Sequence, residues 1–535
     1  VDESAEALVV SFLSAFRTPQ HEAEAKKLLA EAFPQLPVIC SHEVWPQIRE
    51  YERTIVAVLA AYVRPRVVRY LETLERELAQ AGVRVPVYIT KSNGGVTTAR
   101  DARQASAETL LSGPASGVIG ATYVCRRAGY TNLITLDMGG TSADIALVPG
   151  GEPVTSTDEV VGDFPVVMPA IGVSSIGAGG GSVAWLDPVG VLKIGPRSAG
   201  ADPGPACYGR GGREPTLSDA FLLCGFLNPA NFVGGRLRLY PEAAAAALQP
   251  LADALGLGLD AAAEAVVEVA TANMYAAFSN VLARHGVDPR EFALVAFGGA
   301  GPLHANALGR LLGSWPVIIP PSPGVLCAYG DATTRVRNES ARTFIRRFSE
   351  TSNEEVERLL AELATEAAAT LDGDGVGHDQ QSVLYQVDVR YHGQGFEVPV
   401  DVDLERFRDG GLEHVGEVFD AEHTRLFTFA LDTEHELVNL RAVVQGRATR
   451  VRAEEVPAGG PDPAAAATGT TTIWVEDGER QATVYDRALL QAGNRVQGPA
   501  VVTEMDSTTL ILPGHAGEVD RYGNLLLRPA PAEGS

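Results

Sequence analysis

Two short apolar runs, Leu133–Leu136 and Ile145–Val148, flank a polar centre, Asp137-Met138-Gly139-Gly140-Thr141-Ser142. That pattern predicts two strands joined by a glycine bend. A second apolar run, Ala293–Phe297, reads as a buried strand. It is followed by Gly298-Gly299-Ala300-Gly301, Pro302 and a helical period from Leu303 to Leu312. Towards the start of the chain the pattern predicts a helix over Ala5–Phe16, a turn at Thr18-Pro19, a helix over Glu22–Phe33 and an extended piece at Pro37–Cys40. Glu50 to Ala81 has helical spacing, with Pro65 expected to end or kink it. Val85–Thr90 reads as a strand running into the turn Ser92-Asn93-Gly94-Gly95, and Val118–Ala128 as a helix. Pro241 to His285 reads as two alanine-rich helices parted near Gly256–Asp260.

Beyond the hard turn Pro320–Gly324 the composition becomes more charged, which puts a boundary near residue 340. Glu354–Leu371 is an amphipathic helix, and Leu384–Val402 alternates as a strand, with Tyr385, Val387, Val389 and Tyr391 on one face. Pro457–Ala467 reads as a flexible linker, Thr470–Arg528 as a small β-rich unit and Pro529–Ser535 as a disordered tail. With 535 residues the chain is too long for one core. The expected division is 1–50, 51–340, an α+β domain at 341–456, a linker at 457–469 and a β-rich unit at 470–535.

A formal net charge of −24 argues against nucleic acid or an anionic membrane as partner. No apolar run of membrane-spanning length and no signal peptide is evident, so a cytoplasmic protein is expected. The five cysteines are odd in number and show no C-x-x-C spacing, against both a disulfide framework and a cysteine-based zinc site. No H-E-x-x-H, EF-hand loop or G-x-S-x-G elbow is present.

The candidate chemistry is therefore anion binding. At Gly139 and Gly140 the backbone N–H groups can approach a phosphate, because no Cβ intervenes and positive φ is available. Thr141 and Ser142 add hydroxyls, and Asp137 is placed to hold a hydrated Mg²⁺ through water. Asp144 is a weaker candidate, for the metal or for orienting an attacking oxygen. Gly298, Gly299 and Ala300 precede a helix N-terminus, whose N–H groups suit an anion or a base edge. Three successive glycines, Gly179 to Gly181, suggest a backbone loop close to a ligand, with a tight structural bend as the alternative. Arg197 faces a phosphate or carboxylate substrate, or a surface ion pair. His304 lies near the helix start as a substrate candidate or as a satisfied core histidine, and Asp219 is read as a helix cap.

Four motifs together resemble the hydantoinase A/oxoprolinase family, which includes N-methylhydantoinase A, 5-oxoprolinase and an acetone carboxylase subunit. They are Asp137–Asp144, Ser175–Ser182, the stretch Gly195–Tyr208 rich in glycine and proline, and Phe297–Pro302. The resemblance implies an α/β fold with an actin-like/Hsp70-type (ribonuclease H-like) ATPase lobe and a β-rich C-terminal region. It implies ATP and Mg²⁺ as cofactors, with Asp137 and Gly139–Thr141 as the second phosphate loop and Gly298–Ala300 as the adenosine motif. It further implies ATP-dependent hydrolysis of a cyclic amide, or carboxylation of a ketone, through phosphorylation of the substrate carbonyl. A hydantoinase B-like partner in a hetero-oligomer follows from the same resemblance. Family members open with an Asp-x-Gly-Gly-Thr loop that has no copy ahead of Asp137 here. Residues 1–50 then correspond to the tail of an N-terminal lobe, and Val1 suggests a trimmed chain or a natural short subunit. The alternative is a nucleotide-binding or scaffolding subunit that is inactive alone.

Overall fold

The computed structural model describes residues 5–156, 159–161, 164–230, 232–373, 376–447 and 455–531. The fold is mixed α/β, and the chain divides into two compact units that do not follow the linear order of the sequence. The first comprises Val1–Ala115, Thr155–Ile171 and Thr334–Arg450, and the second Ser116–Val154, Gly172–Thr333 and Val451–Ser535.

In the first unit, six strands form one sheet in the order Val398–Val402, Gln381–Tyr391, His435–Gly446, Arg335–Arg347, Gly95–Thr98 and Tyr88–Thr90. The alternating period of Gln381–Tyr391 turns Val387, Val389 and Tyr391 towards the helices Asn353–Gly373 and Leu404–Phe427. Val356, Leu360, Phe407, Phe419 and Leu440 complete that core. The expected single strand over Leu384–Val402 is a hairpin, with residues 392–397 as its connection.

Two expectations near the chain start are corrected. Ala5–Phe16 is no helix: Leu8–Val10 is a strand, paired in parallel with Val38–Cys40, and β-branched Val9 and Val10 are better placed on a pleated surface. Pro65 does not end its helix, which runs from Glu50 to Gln80. Burial of Val56, Ala57, Ala60 and Ala61 before it and of Leu71 after it outweighs one lost backbone bond.

The second unit is built on an eight-stranded sheet in the order Val173–Ile176, Ala143–Val148, Leu133–Met138, Ala293–Phe297, Val317–Ile319, Leu525–Pro529, His515–Val519 and Arg495–Gln497. Leu133–Met138, Ala293–Phe297 and Val317–Ile319 are parallel. The last two are joined by the helix Gly301–Leu312. Helices Leu217–Leu223, Pro241–Leu255 and Leu259–His285 contribute Phe221, Leu248, Met274 and Phe278 to the same core as Ile134, Leu136 and Leu294.

The C-terminal strands divide between two sheets. Ala467–Trp474, Glu479–Asp486, Ala500–Thr503 and Thr508–Ile511 form a four-stranded sheet, while the other three extend the central one. Pro457–Ala467 is not a free linker. The Gly459 N–H donates to Ala492 O at 2.8 Å, the Asn494 side chain donates to Gly460 O and Asp462 O, and Ala466 is buried. Pro529 closes a strand instead of opening a disordered tail, and residues 532–535 lie outside the described ones.

Candidate functional site

The site lies in the second unit, at the carboxyl ends of two adjacent parallel strands, where open α/β sheets bind ligands. Asp137 and Phe297 are register partners there, so the chain leaves both strands at the same level. Beyond them the two glycine bends meet directly. Gly298 has φ +79°, and a Cβ added to it would lie 2.4 Å from Met138 O and 2.6 Å from Asp137 Oδ1. The Ala300 N–H donates to Met138 O at 2.9 Å and the Gly298 N–H to Pro323 O at 2.9 Å. Glycine is required at 298 because no side chain fits between these backbones.

The bend at 139–141 has a different character. Gly139, Gly140 and Thr141 are exposed, and a Cβ on either glycine would meet nothing within 4 Å. Neither glycine has positive φ, so the left-handed freedom available to glycine is not used and their own fold does not demand glycine. The Gly139 N–H donates to Ser142 O at 3.2 Å, whereas the N–H groups of Gly140 and Thr141 make no hydrogen bond among the described residues.

The loop of three glycines packs beneath this bend, backbone on backbone. The Gly180 N–H donates to Gly139 O at 3.0 Å and the Gly181 N–H to Gly140 O at 2.7 Å. A Cβ on Gly179 would fall 2.3 Å from Thr141 N. Gly179 and Gly180 thus carry the bend at 139–141 and are themselves buried.

Asp137 and Asp144 face one another as register partners across the hairpin. Burial raises the Asp137 carboxyl to about 6; the Cys327 thiol, which donates to Asp137 Oδ2 at 3.2 Å, pulls the other way, and the Asp144 charge adds to the rise. Asp144 is also raised by burial, against hydrogen bonds from the hydroxyls of Ser175 and Ser142. Pattern reading missed both Cys327 and Ser175. Cys327 carried a weak signal, its place three residues after Gly324 in the hard turn that receives the Gly298 N–H.

The other candidates separate from this site. His304 is buried, and its Nδ1 lies 2.8 Å from Thr271 Oγ1. That hydroxyl already donates to Val267 O, so Nδ1 carries the proton. Burial lowers the imidazole to about 3, leaving a neutral core histidine packed edge-on to Phe221, its Nε2 without a partner among the described residues. Arg197 is exposed in an ion pair with Glu214 at 2.6 Å. Asp219 has the expected capping role, closing a capping box with the N-cap Thr216: buried, it accepts from Cys207 N at 2.7 Å, Thr216 N at 2.8 Å and Thr216 Oγ1 at 2.7 Å. Asp219→Ala should therefore lower stability by about 2–3 kcal/mol, read from the urea midpoint, since three buried donors lose their acceptor.

Gly299 is exposed and opens onto a pocket lined by Leu227, Asn228, Phe232, Glu504, Met505 and Asp506. The C-terminal loop holds this wall in place, because Ser507 Oγ donates to Gly298 O and Gly299 O at 3.4 and 3.3 Å. Burial raises the Glu504 carboxyl, opposed by the Arg487 guanidinium. Open N–H groups next to a carboxylate thus lie beside a mixed apolar and polar pocket beyond a helix N-terminus.

The sequence matches the Hydantoinase/oxoprolinase family over residues 53–340 and the Hydantoinase/oxoprolinase C-terminal domain over residues 346–528. It is 34% identical to the caprolactamase subunit alpha of Pseudomonas jessenii, over 99% of this chain and 77% of that one. The crystal structure of the ATP-dependent caprolactamase from that organism superposes with a TM-score of 0.86 at 34% identity, covering 99% of this chain and 78% of the other. A nucleotide-free acetone carboxylase structure gives a TM-score of 0.81 at 26% identity, covering 98% of this chain and 76% of that one. Among the described residues no helix is long and apolar enough to cross a membrane. On the strength of both its domains and its fold, the chain belongs to the hydantoinase/oxoprolinase family.

Proposed function

We propose that this chain is the nucleotide-handling subunit of an ATP-dependent amidohydrolase or carboxylase acting on a cyclic amide or ketone. The observation that carries the reading is the direct contact of the two glycine bends, with Gly298 against Asp137 and Met138 and with free N–H groups at Gly140 and Thr141. ATP and Mg²⁺ fit these residues. The bend leaves room for phosphate oxygens, and Asp137 keeps a carboxylate whose protein partner is only a weak thiol donor. When bound, ATP would supply a phosphoryl group to the substrate carbonyl oxygen.

In this reading Gly139, Gly140 and Thr141 orient phosphates through N–H groups, and Asp137 holds Mg²⁺ through water. Gly298 to Ala300 position the adenosine towards the pocket walled by Phe232 and Met505. Asp144, tied by Ser142 and Ser175, orients the reacting oxygen or the metal's water. The unit takes an actin-like/Hsp70-type fold, and the chain works beside a hydantoinase B-like subunit. A place within an ATP-dependent enzyme of several subunits is supported by the similarity to the alpha subunit of a caprolactamase that is ATP-dependent.

The test exploits the freedom at 139 and 140. Gly139→Ala and Gly140→Ala should leave the melting temperature within about 1 °C, because the added methyl touches nothing. They should weaken ATP binding, measured by calorimetry, roughly ten- to a hundredfold by crowding the phosphates. Unchanged affinity in both variants refutes the assignment.

A further inference from the structure

The first unit contains a cavity that the nucleotide reading does not use. Its floor is one face of the antiparallel pair Gln381–Tyr391 and His435–Gly446, where Gln386 faces Arg441 and Asp388 faces Asn439. The opposite face of the same strands is the apolar core. Asn439 and Arg441 are 3% and 7% exposed, so this second face is polar and nevertheless covered. Its cover includes the loop Trp45 to Arg49, held by a hydrogen bond from Ile48 N to Thr343 Oγ1 at 3.0 Å. Arg49 has φ +83°, a strained backbone for a residue with a side chain, and such strain collects at ligand sites.

The charges in the cavity wall are already paired. Arg49 Nη2 donates to Glu397 Oε2 at 2.8 Å, Asn439 Nδ2 to Asp388 Oδ2 at 2.9 Å, and Arg441 Nη1 to Gln386 Oε1 at 2.8 Å. The two cations and two carboxylates of the wall sum to no net charge, which suits an uncharged ligand. What remains is a pair of buried donors, Gln47 Nε2 and Arg441 Nε, with no partner among the described residues. Leaving a buried donor unpaired costs about 1–3 kcal/mol, which an acceptor oxygen from a ligand would offset. Trp45, Phe396, Pro169 and Pro399 add apolar walls.

We infer that this cavity is a second small-molecule site, shaped for an uncharged compound whose amide or ketone carbonyl accepts from Gln47 and Arg441 while its hydrocarbon part lies on Trp45 and Phe396. The cavity stands on the first unit alone, while the choice of an amide or ketone ligand rests on the function proposed above.

The test is a titration of the full chain with ε-caprolactam, without ATP, followed by ligand-observed NMR. Millimolar binding is expected for the unaltered protein. Gln47→Leu keeps the volume and removes an unpaired donor, so the melting temperature should hold or rise while caprolactam binding weakens roughly tenfold. Phe396→Trp, at a residue 41% exposed, narrows the cavity without touching the core and should also weaken binding. The inference is overturned if the folded protein binds no caprolactam at millimolar concentration, or if both variants bind it as the unaltered protein does. ATP titrated in parallel reports on the other site, so failure of one reading leaves the other measurable.

Discussion

Gly298→Ala is expected to lower stability by roughly 2–4 kcal/mol and to abolish ATP binding. The first part follows from φ +79°, which disfavours any Cβ, and from overpacking against backbone that cannot move aside. The added carbon would lie 2.4 Å from Met138 O, on the strand end that carries Asp137, so relief of the clash must push the two bends apart. Loss of binding follows, because a phosphate held by one bend and an adenosine held by the other then no longer fit one molecule. Gly299→Ala is the control. That residue is exposed, lacks positive φ and would meet only Asp506 O, at 3.6 Å. A urea midpoint for Gly298→Ala equal to that of Gly299→Ala would contradict the geometry. Loss of ATP binding in neither variant would contradict the nucleotide assignment.

Asp137→Asn should separate stability from function with opposite signs. An acid whose folded pKa is raised to about 6 from the ordinary 3.8 favours its neutral form in the native state. Stability is then highest below the unfolded value and falls as pH rises through the window from 3.8 to about 6, because the native state binds more protons there. At pH 7 the full penalty is present. Asparagine removes it, and stability without nucleotide or Mg²⁺ should rise by about 1–3 kcal/mol. Tightening of ATP binding by Mg²⁺ should disappear, with Mg²⁺-dependent turnover down about a hundred- to a thousandfold. A variant that is less stable at pH 7, or that keeps the Mg²⁺ effect, would remove Asp137 from the role proposed for it. The combination of a stabilising change with lost activity marks a residue kept for chemistry at a cost in stability.

Within the site, the hairpin 133–148, the strand Ala293–Phe297 and the helix after Pro302 could be read from apolar period and glycine placement alone. Those signals are local: strand period, helix period and the start preference of proline all act within a few residues. The same holds for Asp219, whose capping role follows from Thr216 three residues earlier. Local pattern misled where partners lie far away in sequence. Leu8–Val10 becomes a strand only because Val38–Cys40 pairs with it, and Pro65 stays helical only because burial on both sides holds the turn.

The sequence by itself determined the family, the two glycine bends and the carboxylate at a strand end, since each is carried by contiguous residues. Only the tertiary structure decided that Gly298 touches Asp137, that Cys327 donates to that carboxylate, that His304 is sealed in the core and that the last strands extend the central sheet. These facts depend on how segments far apart in sequence come together, and no periodicity along the chain encodes which strand will lie beside which.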